Sequence, residues 1–197
     1  MNGKPDAPAA RRNRDAILAV LKDELEGSTS LLEIGSGTGQ HAVYFGRALP
    51  GVSWQTSDRG ANHAGISSWL ADAALDNVAA PLDLDVLQCA TVSGNYDAVF
   101  SANTAHIMGL PAVECMFRIT GRVLSGGGVF CLYGPFKIKG EFTSDSNERF
   151  DQSLKEQNPE MGIRDLEDLD RLATENGLAR SNRYAMPANN MMAIWRS

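Results

Sequence analysis

The apolar positions along this chain repeat with two alternating periods. Short apolar runs, such as residues 31–34 and 96–102, have the length of buried β-strands. Between these runs, apolar side chains recur about three or four residues apart, as they do on the inner face of an amphipathic helix. Strands that alternate with helices in this way form βαβ units around a parallel sheet. The pattern therefore predicts an α/β fold.

Glycines and turn residues set the boundaries of the predicted elements. Glycine at 27, at 126–128 and at 177 ends a helical segment in each case. A turn-like segment at 187–190 joins the last two strands as an antiparallel hairpin on the sheet edge. The predicted helices span residues 14–26, 40–49, 61–75, 111–124 and 165–176, and the predicted strands span residues 31–34, 53–56, 80–86, 96–102, 129–133, 178–184 and 191–195.

The length of the chain favours one domain over residues 1–197. With 43% hydrophobic residues, 197 residues suffice for one sizeable core. Residues 1–10 contain two prolines and three alanines, and we expect a loose leader whose order depends on docking. Residues 134–162 are polar and too long for an ordinary connection, so they predict either a lid or a small helical insertion.

Charge and cysteine content restrict the partners and the compartment. The 18 Lys and Arg against 24 Asp and Glu give a net charge of -6, which excludes a general nucleic-acid binder. The sequence has no signal peptide and no long apolar run, so no membrane partner is expected. The three scattered cysteines fit neither a disulfide framework nor a metal pair. The three histidines, equally scattered, suggest no metal site. We therefore expect a cytoplasmic protein.

A glycine-rich loop leads from the first predicted strand into a helix. It reads Glu33-Ile34-Gly35-Ser36-Gly37-Thr38-Gly39, and its three glycines let the backbone turn tightly and a ligand approach closely. A dinucleotide fingerprint, Gly-x-Gly-x-x-Gly, requires glycine at position 40, where this chain has Gln40. The spacing therefore disfavours a nicotinamide dehydrogenase. A strand-to-helix turn without a ligand is the structural alternative.

The spacing Glu-x-Gly-x-Gly-x-Gly resembles motif I of class I methyltransferases. In that superfamily the loop holds the amino-acid part of S-adenosylmethionine rather than a pyrophosphate. The resemblance implies cofactor contacts from Glu33, Gly35, Ser36, Gly37 and Gly39. Glu33, at the strand end, is expected either to lie near the cationic end of the cofactor or to organise the loop.

Acidic residues follow the next two predicted strands. Asp58 comes about twenty residues after the loop, where a carboxylate can accept hydrogen bonds from both ribose hydroxyls. A turn aspartate before Arg59 is the alternative. Asp85 is expected at the end of the third strand, where class I methyltransferases often present a carboxylate to the adenine amino group, and Val86 beside it would cover the adenine ring. Asp83 competes with Asp85, because alternation puts both on one face.

The fourth strand carries polar residues at its carboxyl end. This edge of a doubly wound sheet faces the ligand crevice, so Asn103 and His106 are the best-placed polar groups. Asn103 is assigned to both cofactor binding and catalysis. The segment lacks the Pro-Pro-aromatic run of enzymes that methylate exocyclic amines of bases or glutamine, which argues against that substrate class.

Blocks along nearly the whole chain resemble the methyltransferase-like 26 family, also known as domain of unknown function 938. Met161 departs from the family, which has tryptophan there. The resemblance implies a Rossmann-like class I methyltransferase fold: a mostly parallel seven-stranded sheet with helices on both faces and an antiparallel terminal strand. It also implies S-adenosylmethionine-dependent activity, but no particular substrate. The blocks are Arg12-Asn13-Arg14-Asp15, Ser36-Gly37-Thr38-Gly39-Gln40-His41, Leu84-Asp85-Val86, Asn103-Thr104-Ala105-His106-Ile107, Tyr133-Gly134-Pro135-Phe136, Ser146-Asn147, Phe150-Asp151, Asn158-Pro159, Gly162, Arg164-Asp165 and Met186-Pro187-Ala188-Asn189-Asn190.

Several of these blocks supply amide and guanidinium groups outside the cofactor loop. Such groups suit a polar small-molecule substrate, with a carboxylate held by Arg12 or Arg164. The structural alternative is that they cap helices and satisfy loop backbones. The predicted substrate-binding residues are Arg12, Asn13, Asn147, Arg164, Asn189 and Asn190.

Methyl transfer from a sulfonium is an in-line displacement, for which the protein chiefly supplies positioning, worth roughly 7 to 11 kcal/mol. His106 is the leading candidate for a general base, because imidazole changes protonation near neutral pH. Tyr133 is the second candidate. A packing role is the alternative for His106, and a non-catalytic, cofactor-binding scaffold or partner subunit is the alternative for the whole chain.

Overall fold

Ten strands and six helices make up the computed structural model, which describes residues 4–88 and 92–197. The strands are β1 (Ser30–Ile34), β2 (Ser53–Asp58), β3 (Val78–Asp83), β4 (Tyr96–Ala102), β5 (Leu124–Gly134), β6 (Phe136–Ile138), β7 (Glu141–Phe142), β8 (Arg164–Asp165), β9 (Ala179–Met186) and β10 (Asn190–Arg196). The helices are α1 (Pro8–Glu24), α2 (Gln40–Ala48), α3 (His63–Ala73), α4 (Leu110–Val123), α5 (Asp145–Gln157) and α6 (Leu166–Glu175).

Seven of these strands form the central sheet in the order β3-β2-β1-β4-β5-β10-β9. The five strands from β3 to β5 run parallel, whereas β10 is antiparallel to both of its neighbours. The predicted mostly parallel sheet and its antiparallel closing hairpin are both confirmed. All carboxyl ends of the parallel strands consequently meet at one edge, which we call the upper edge.

The sheet separates two apolar cores, because successive side chains of a buried strand point to opposite faces. Leu31 of β1 packs in the core on the side of α1 and α2, where Phe45 of α2 and Trp54 of β2 are fully buried. Leu32 packs on the other face with α4 and α6, where Phe117 is fully buried. Helices therefore cover both faces, as predicted.

The leader is docked rather than loose over the residues that the structure describes, 4–7. Trp69 of α3 donates to the Pro5 carbonyl at 2.8 Å, and the Ala7 amide donates to the side chain of Gln40. Helix α1 begins at Pro8, six residues before the predicted start at 14. Proline fits the first turn of a helix, since its missing N–H has no partner to lose there.

Residues 134–162 form a folded insertion that comprises β6, β7 and α5. β6 pairs with β8 in a second, three-stranded sheet. Phe136 and Leu154 are 1% and 3% exposed, so both the strand and the helix of the insertion bury apolar side chains. Of the two predicted forms, the small helical insertion describes this segment.

No helix in the described ranges is long and apolar enough to cross a membrane, and the described residues contain no group of three metal-ligating side chains. Cys131 is free and buried, but Cys115 is disulfide-bonded. The expectation that the cysteines form no disulfide framework therefore fails at Cys115, and the cysteines no longer support the expected cytoplasmic location. Cys89 lies outside the described residues.

Candidate functional site

The glycine loop joins β1 to α2 at the upper edge. Gly35, Gly37 and Gly39 have φ angles of +77°, +59° and +86°, a region that favours glycine. A Cβ at Gly35 would lie 2.7 Å from Thr104 Cγ2, and one at Gly39 would lie 3.1 Å from Ile66 Cα. At Gly37, by contrast, a Cβ would meet no atom within 4 Å. Gly35 and Gly39 are thus required for packing, whereas Gly37 keeps the loop surface open to a ligand.

Asp58 ties the end of β2 to this loop. Its Oδ2 accepts the Gly37 amide at 2.7 Å, and its Oδ1 accepts the Arg59 amide at 2.8 Å and the Asn62 side chain at 2.7 Å. A carboxylate oxygen can accept two hydrogen bonds, so Oδ2 keeps a position for one more donor. Asp58 is therefore both the turn aspartate of the alternative reading and a carboxylate at the predicted ribose position.

Glu33 is buried beneath the loop. It is 2% exposed, and its Oε2 accepts bonds from Ser36 Oγ at 2.8 Å and Trp54 Nε1 at 3.0 Å. Burial raises the pKa of Glu33 to about 7, against two hydrogen bonds that lower it. The Ser36 hydroxyl also accepts the Ser57 amide. Both side chains thus organise the loop, which is one of the two roles expected of Glu33.

Strand β3 ends at Asp83, so the prediction that Asp85 ends this strand is wrong. Asp83 is exposed and accepts the Gly60 amide at 3.0 Å. Asp85 accepts the Leu87 amide at 3.0 Å and so caps a short 3₁₀ turn, while Val86 packs partly against the core. Both carboxylates lie at the upper edge beside the end of β2.

The end of β4 lies against the end of β5. Asn103 has a φ of +58°, and its amide donates to the Tyr133 carbonyl at 2.9 Å. The imidazole of His106 lies close to Gly134, where an added Cβ would come within 3.5 Å of Nδ1. The three residues predicted to be catalytic, Asn103, His106 and Tyr133, thus lie on neighbouring stretches of backbone, although the Tyr133 side chain packs in the core beside α1 and α2.

His106 is a buried and neutral imidazole. It is 6% exposed, and Phe150 meets its ring edge to face with centroids 5.4 Å apart. Burial, helped by the charge of Arg164, lowers the pKa of His106 to about 4. Within the described ranges, its ring nitrogens have no hydrogen-bond partner. Arg14 Nε is the one side-chain nitrogen there that is both fully buried and without a hydrogen bond. The ring nitrogens of His106 are therefore not fully buried and remain accessible to solvent.

Arg164 holds the loop that carries His106. Its Nε donates to the Ala105 carbonyl at 3.1 Å, and its Nη2 donates to the carbonyls of Met108 and Glu160. These bonds give Arg164 a structural role, and its role as a substrate carboxylate ligand stays a prediction. The Gly162 amide adds a bond to the His106 carbonyl at 2.9 Å. The sequence carried no signal for this clamp beyond the presence of an arginine.

Asn13 takes part in a buried network between α1, α2 and β5. Its side-chain amide lies 2.8 Å from His41 Nε2, and it lies next to the Tyr133 hydroxyl, whose pKa burial raises. The pKa of His41 is lowered to about 4 by burial, and its ring also bonds the Ala10 carbonyl. Asn13 was predicted to bind substrate, and in the structure its side chain bonds both His41 and Tyr133.

Three of the remaining predicted substrate ligands, all asparagines, form hydrogen bonds within the chain. Asn147 donates to the Asn189 carbonyl at 2.9 Å, and Asn189 donates to Ser146 Oγ at 3.0 Å, so the β9–β10 turn is tied to the start of α5. Asn190 bonds within the turn. Arg12 is exposed on α1.

A cleft of about 610 Å³ opens beside the glycine loop. It lies between the docked leader, the loop tip at Gly37 and Thr38, and the first two turns of α3. The lining residues are mostly small, and they include Ala61, Asn62, Ala64, Gly65 and Ser68. The cleft thus gives a ligand access to the open surface of the loop.

Comparison with known proteins adds a family and a fold. A family model described as "Protein of unknown function (DUF938)" matches residues 4–197. Among solved structures, SibL, an S-adenosylmethionine-dependent methyltransferase in its apo form, superposes with a TM-score of 0.81 at 18% identity, covering 95% of this chain and 55% of SibL. Mitomycin 7-O-methyltransferase MmcR has a TM-score of 0.76 at 18% identity and covers 98% and 59%. Human N-acetylserotonin methyltransferase, solved with S-adenosylmethionine, has a TM-score of 0.81 at 12% identity and covers 96% and 52%.

The chain spans little more than half the length of these three structures. At such low identity, the likeness establishes the fold. The α/β architecture is the Rossmann-like class I methyltransferase fold, as the resemblance in the sequence implied.

Proposed function

The chain belongs to DUF938, a family of proteins of unknown function, and we propose that it is an S-adenosylmethionine-dependent methyltransferase acting on a small molecule. One observation carries the proposal. The Asp58 carboxylate at the end of β2 accepts the amide of Gly37, the one loop glycine with open space above it. This arrangement joins a ribose-type acceptor to an open glycine loop at the carboxyl edge of a class I sheet.

The residues at this edge fit the groups of the cofactor. The open surface at Gly37 admits its amino-acid part, and the remaining acceptor position on Asp58 suits a ribose hydroxyl. Asp85 and Asp83 offer carboxylates beside it for the adenine amino group. Arg12 is exposed at the start of α1 and can reach an anionic group. When bound, S-adenosylmethionine supplies a methyl group that its sulfonium has already activated.

His106 would serve as the proton acceptor for a hydroxyl nucleophile. Because its pKa is lowered to about 4, the imidazole is neutral at physiological pH and has a lone pair available. General-base catalysis contributes typically about 10² to 10⁴ in rate when the pKa of the base lies near the working pH, so a base with a pKa of about 4 contributes less than the best case. Arg164 would position His106 through the backbone of its loop, and Tyr133 and Asn103 would line the site.

The polarity of the acceptor is a separate question. A polar acceptor was predicted from six side chains, but Arg164, Asn147, Asn189 and Asn190 bond to the chain itself. These bonds leave fewer of their polar atoms for a substrate. The class of the acceptor therefore depends on the side chains at this edge that form no hydrogen bonds within the chain.

Calorimetric titration with S-adenosylmethionine and S-adenosylhomocysteine tests the proposal. We expect both to bind, and Asp58→Ala to weaken binding roughly ten- to a hundredfold, the equivalent of one charge-assisted hydrogen bond of about 1.5 to 3 kcal/mol. Asp168→Ala, the same change on the exposed face of α6, is the matched control and should bind normally.

Two other results would each exclude a part of the proposal. Failure of folded wild-type protein to bind either compound, or binding of NAD in their place, would refute the cofactor assignment. Tight binding without methyl transfer across an acceptor screen would favour the alternative of a non-catalytic, cofactor-binding scaffold or partner subunit.

A further inference from the structure

The exposed large hydrophobic side chains of the described ranges are not scattered over the surface. They are Leu87, Ile107, Leu110 and Phe150, which are 62%, 48%, 46% and 40% exposed. Leu87 follows β3, Ile107 and Leu110 follow β4, and Phe150 lies in the insertion that follows β5. All four therefore lie at the upper edge, together with the candidate site. Single exposed apolar residues need no explanation, but apolar groups gathered at a functional edge indicate a binding surface.

Phe150 is placed to face a ligand rather than the core. It lies on α5, whose other inward positions are filled by Asn147, Asp151 and Leu154, each at most 5% exposed. Phe150 instead meets the edge of the His106 ring, at an interplanar angle of 66° and with a large part of its own ring open. The two rings form adjacent walls of a partly open corner.

Several hydrogen-bonding groups around this corner are engaged within the chain. The Arg164 guanidinium bonds three backbone carbonyls. The Asn147 side chain donates to the Asn189 carbonyl, and the Asn189 side chain donates to Ser146 Oγ. The ring nitrogens of His106, by contrast, have no hydrogen-bond partner among the described residues and are not among the buried unpartnered atoms. The corner thus places an available imidazole beside an aromatic wall.

We propose that the methyl acceptor is a hydroxyl carried on an aromatic or similarly flat apolar body, which packs against Phe150 and Ile107 and places its hydroxyl at His106. This inference rests on the proposed methyltransferase function. Aromatic rings prefer the offset and edge-to-face contacts that a half-open phenylalanine offers. Polar acceptors such as hydroxy acids would leave these walls without a partner.

The reaction at this corner is balanced. S-adenosylmethionine, when bound, would supply the methyl group: the acceptor oxygen would form a bond to the methyl carbon, and the electron pair of the broken carbon–sulfur bond would stay on sulfur, giving a neutral thioether. The hydroxyl proton passes to the His106 ring nitrogen, and from there to solvent. No oxidant or further reactant is needed.

The test uses naphthol as the probe and the three histidines as reporters. Protein is first saturated with S-adenosylhomocysteine, with binding verified by calorimetry, and the imidazole signals are then followed by NMR as naphthol is added. We expect the His106 signals to shift with saturation. Phe150→Ala should weaken naphthol binding at least tenfold, and Phe150→Tyr, which keeps the ring, should restore it.

Phe142→Ala is the matched control, because Phe142 lies in the same insertion but packs beneath Lys137. It should leave naphthol binding unchanged. The inference is overturned if lactate shifts the His106 signals and naphthol does not, if neither does, or if the Phe142 and Phe150 variants lose naphthol equally. Each of these results is obtained on protein with bound S-adenosylhomocysteine. Failure of that first binding step would instead refute the proposed function.

Discussion

Glu33 gives the glycine loop a dependence on pH that a single substitution can isolate. Burial raises its pKa from 4.5 to about 7, so the folded protein binds a proton more tightly than the unfolded chain does. Its contribution to stability is complete below pH 4.5 and is lost as the pH rises through 7. One unit of pKa corresponds to about 1.36 kcal/mol, so the full loss is about 3 kcal/mol, of which about 2.5 kcal/mol falls between pH 5 and pH 8.

Glu33→Gln removes this ionisation and keeps an oxygen that can accept from Ser36 and Trp54. Relative to wild type, the variant should therefore gain about 2.5 kcal/mol in its free energy of unfolding between pH 5 and pH 8. Urea denaturation at several pH values measures this difference. The variant has to be compared with wild type at each pH, because His41 and His106 also make the stability of the protein depend on pH. Their pKa values are lowered to about 4, so they destabilise the fold as the pH falls below 6.5, whereas Glu33 destabilises it as the pH rises.

Glu26→Gln, the same change at an exposed position after α1, controls for the substitution itself. A difference between wild type and Glu33→Gln that stays constant from pH 5 to pH 8 would refute the reasoning. It would mean that Glu33 is solvated, or that it ionises at its ordinary pH in the fold.

Three further predictions follow from contacts around the site. Gly35→Ala should lower the free energy of unfolding by about 1 to 3 kcal/mol, because the added methyl group is strained at positive φ and clashes with Thr104. Gly37→Ala should lower it by only about 1 kcal/mol, but should weaken S-adenosylhomocysteine binding in calorimetry. Equal effects of the two on binding would contradict the separate roles. Arg164→Gln should raise the pKa of His106 from about 4 toward 6.5 in an NMR titration, since a nearby cation is removed, and an unchanged pKa would exclude that coupling. Asn147→Ala should cost about 1 to 3 kcal/mol and speed amide exchange in the β9–β10 turn, and unaltered exchange would show that the tie is dispensable.

The sequence predicted the sheet well because strand length and helical period are local signals. β4 was found at its observed bounds, 96–102. The end of β3 was misplaced for an equally local reason. The alternation of Leu82, Leu84 and Val86 continues after the chain leaves the sheet at Asp83, because these side chains still pack on the core. Apolar periodicity indicates which side chains pack on the core, and here that packing continues beyond the last residue of the strand.

In the candidate site, too, the roles that depend on local structure were predicted and those that depend on distant partners were not. The glycine loop and Asp58 could be placed because their roles depend on the junction of one strand with the next element. The role of Arg164 could not be predicted, since two of the three carbonyls that it bonds lie 56 and 59 residues away along the chain. Likewise, the pairing of Asn147 with the turn at Asn189 depends on how the insertion folds back. Polar residue type alone does not reveal which partner the tertiary structure supplies.

The position of β10 has a consequence for the synthesis of this protein. Because β10 lies between β5 and β9 and pairs with both, the sheet cannot close before residue 196 has been translated. At typical elongation rates of about 5 to 20 residues per second, the edge of β5 waits unpaired on the ribosome for seconds. That edge carries Val129, Phe130 and Leu132, all fully or almost fully buried in the finished fold. The nascent chain thus presents β5 as an unpaired apolar strand until β10 emerges, and β5 is a segment that a chaperone binding extended apolar peptides would cover.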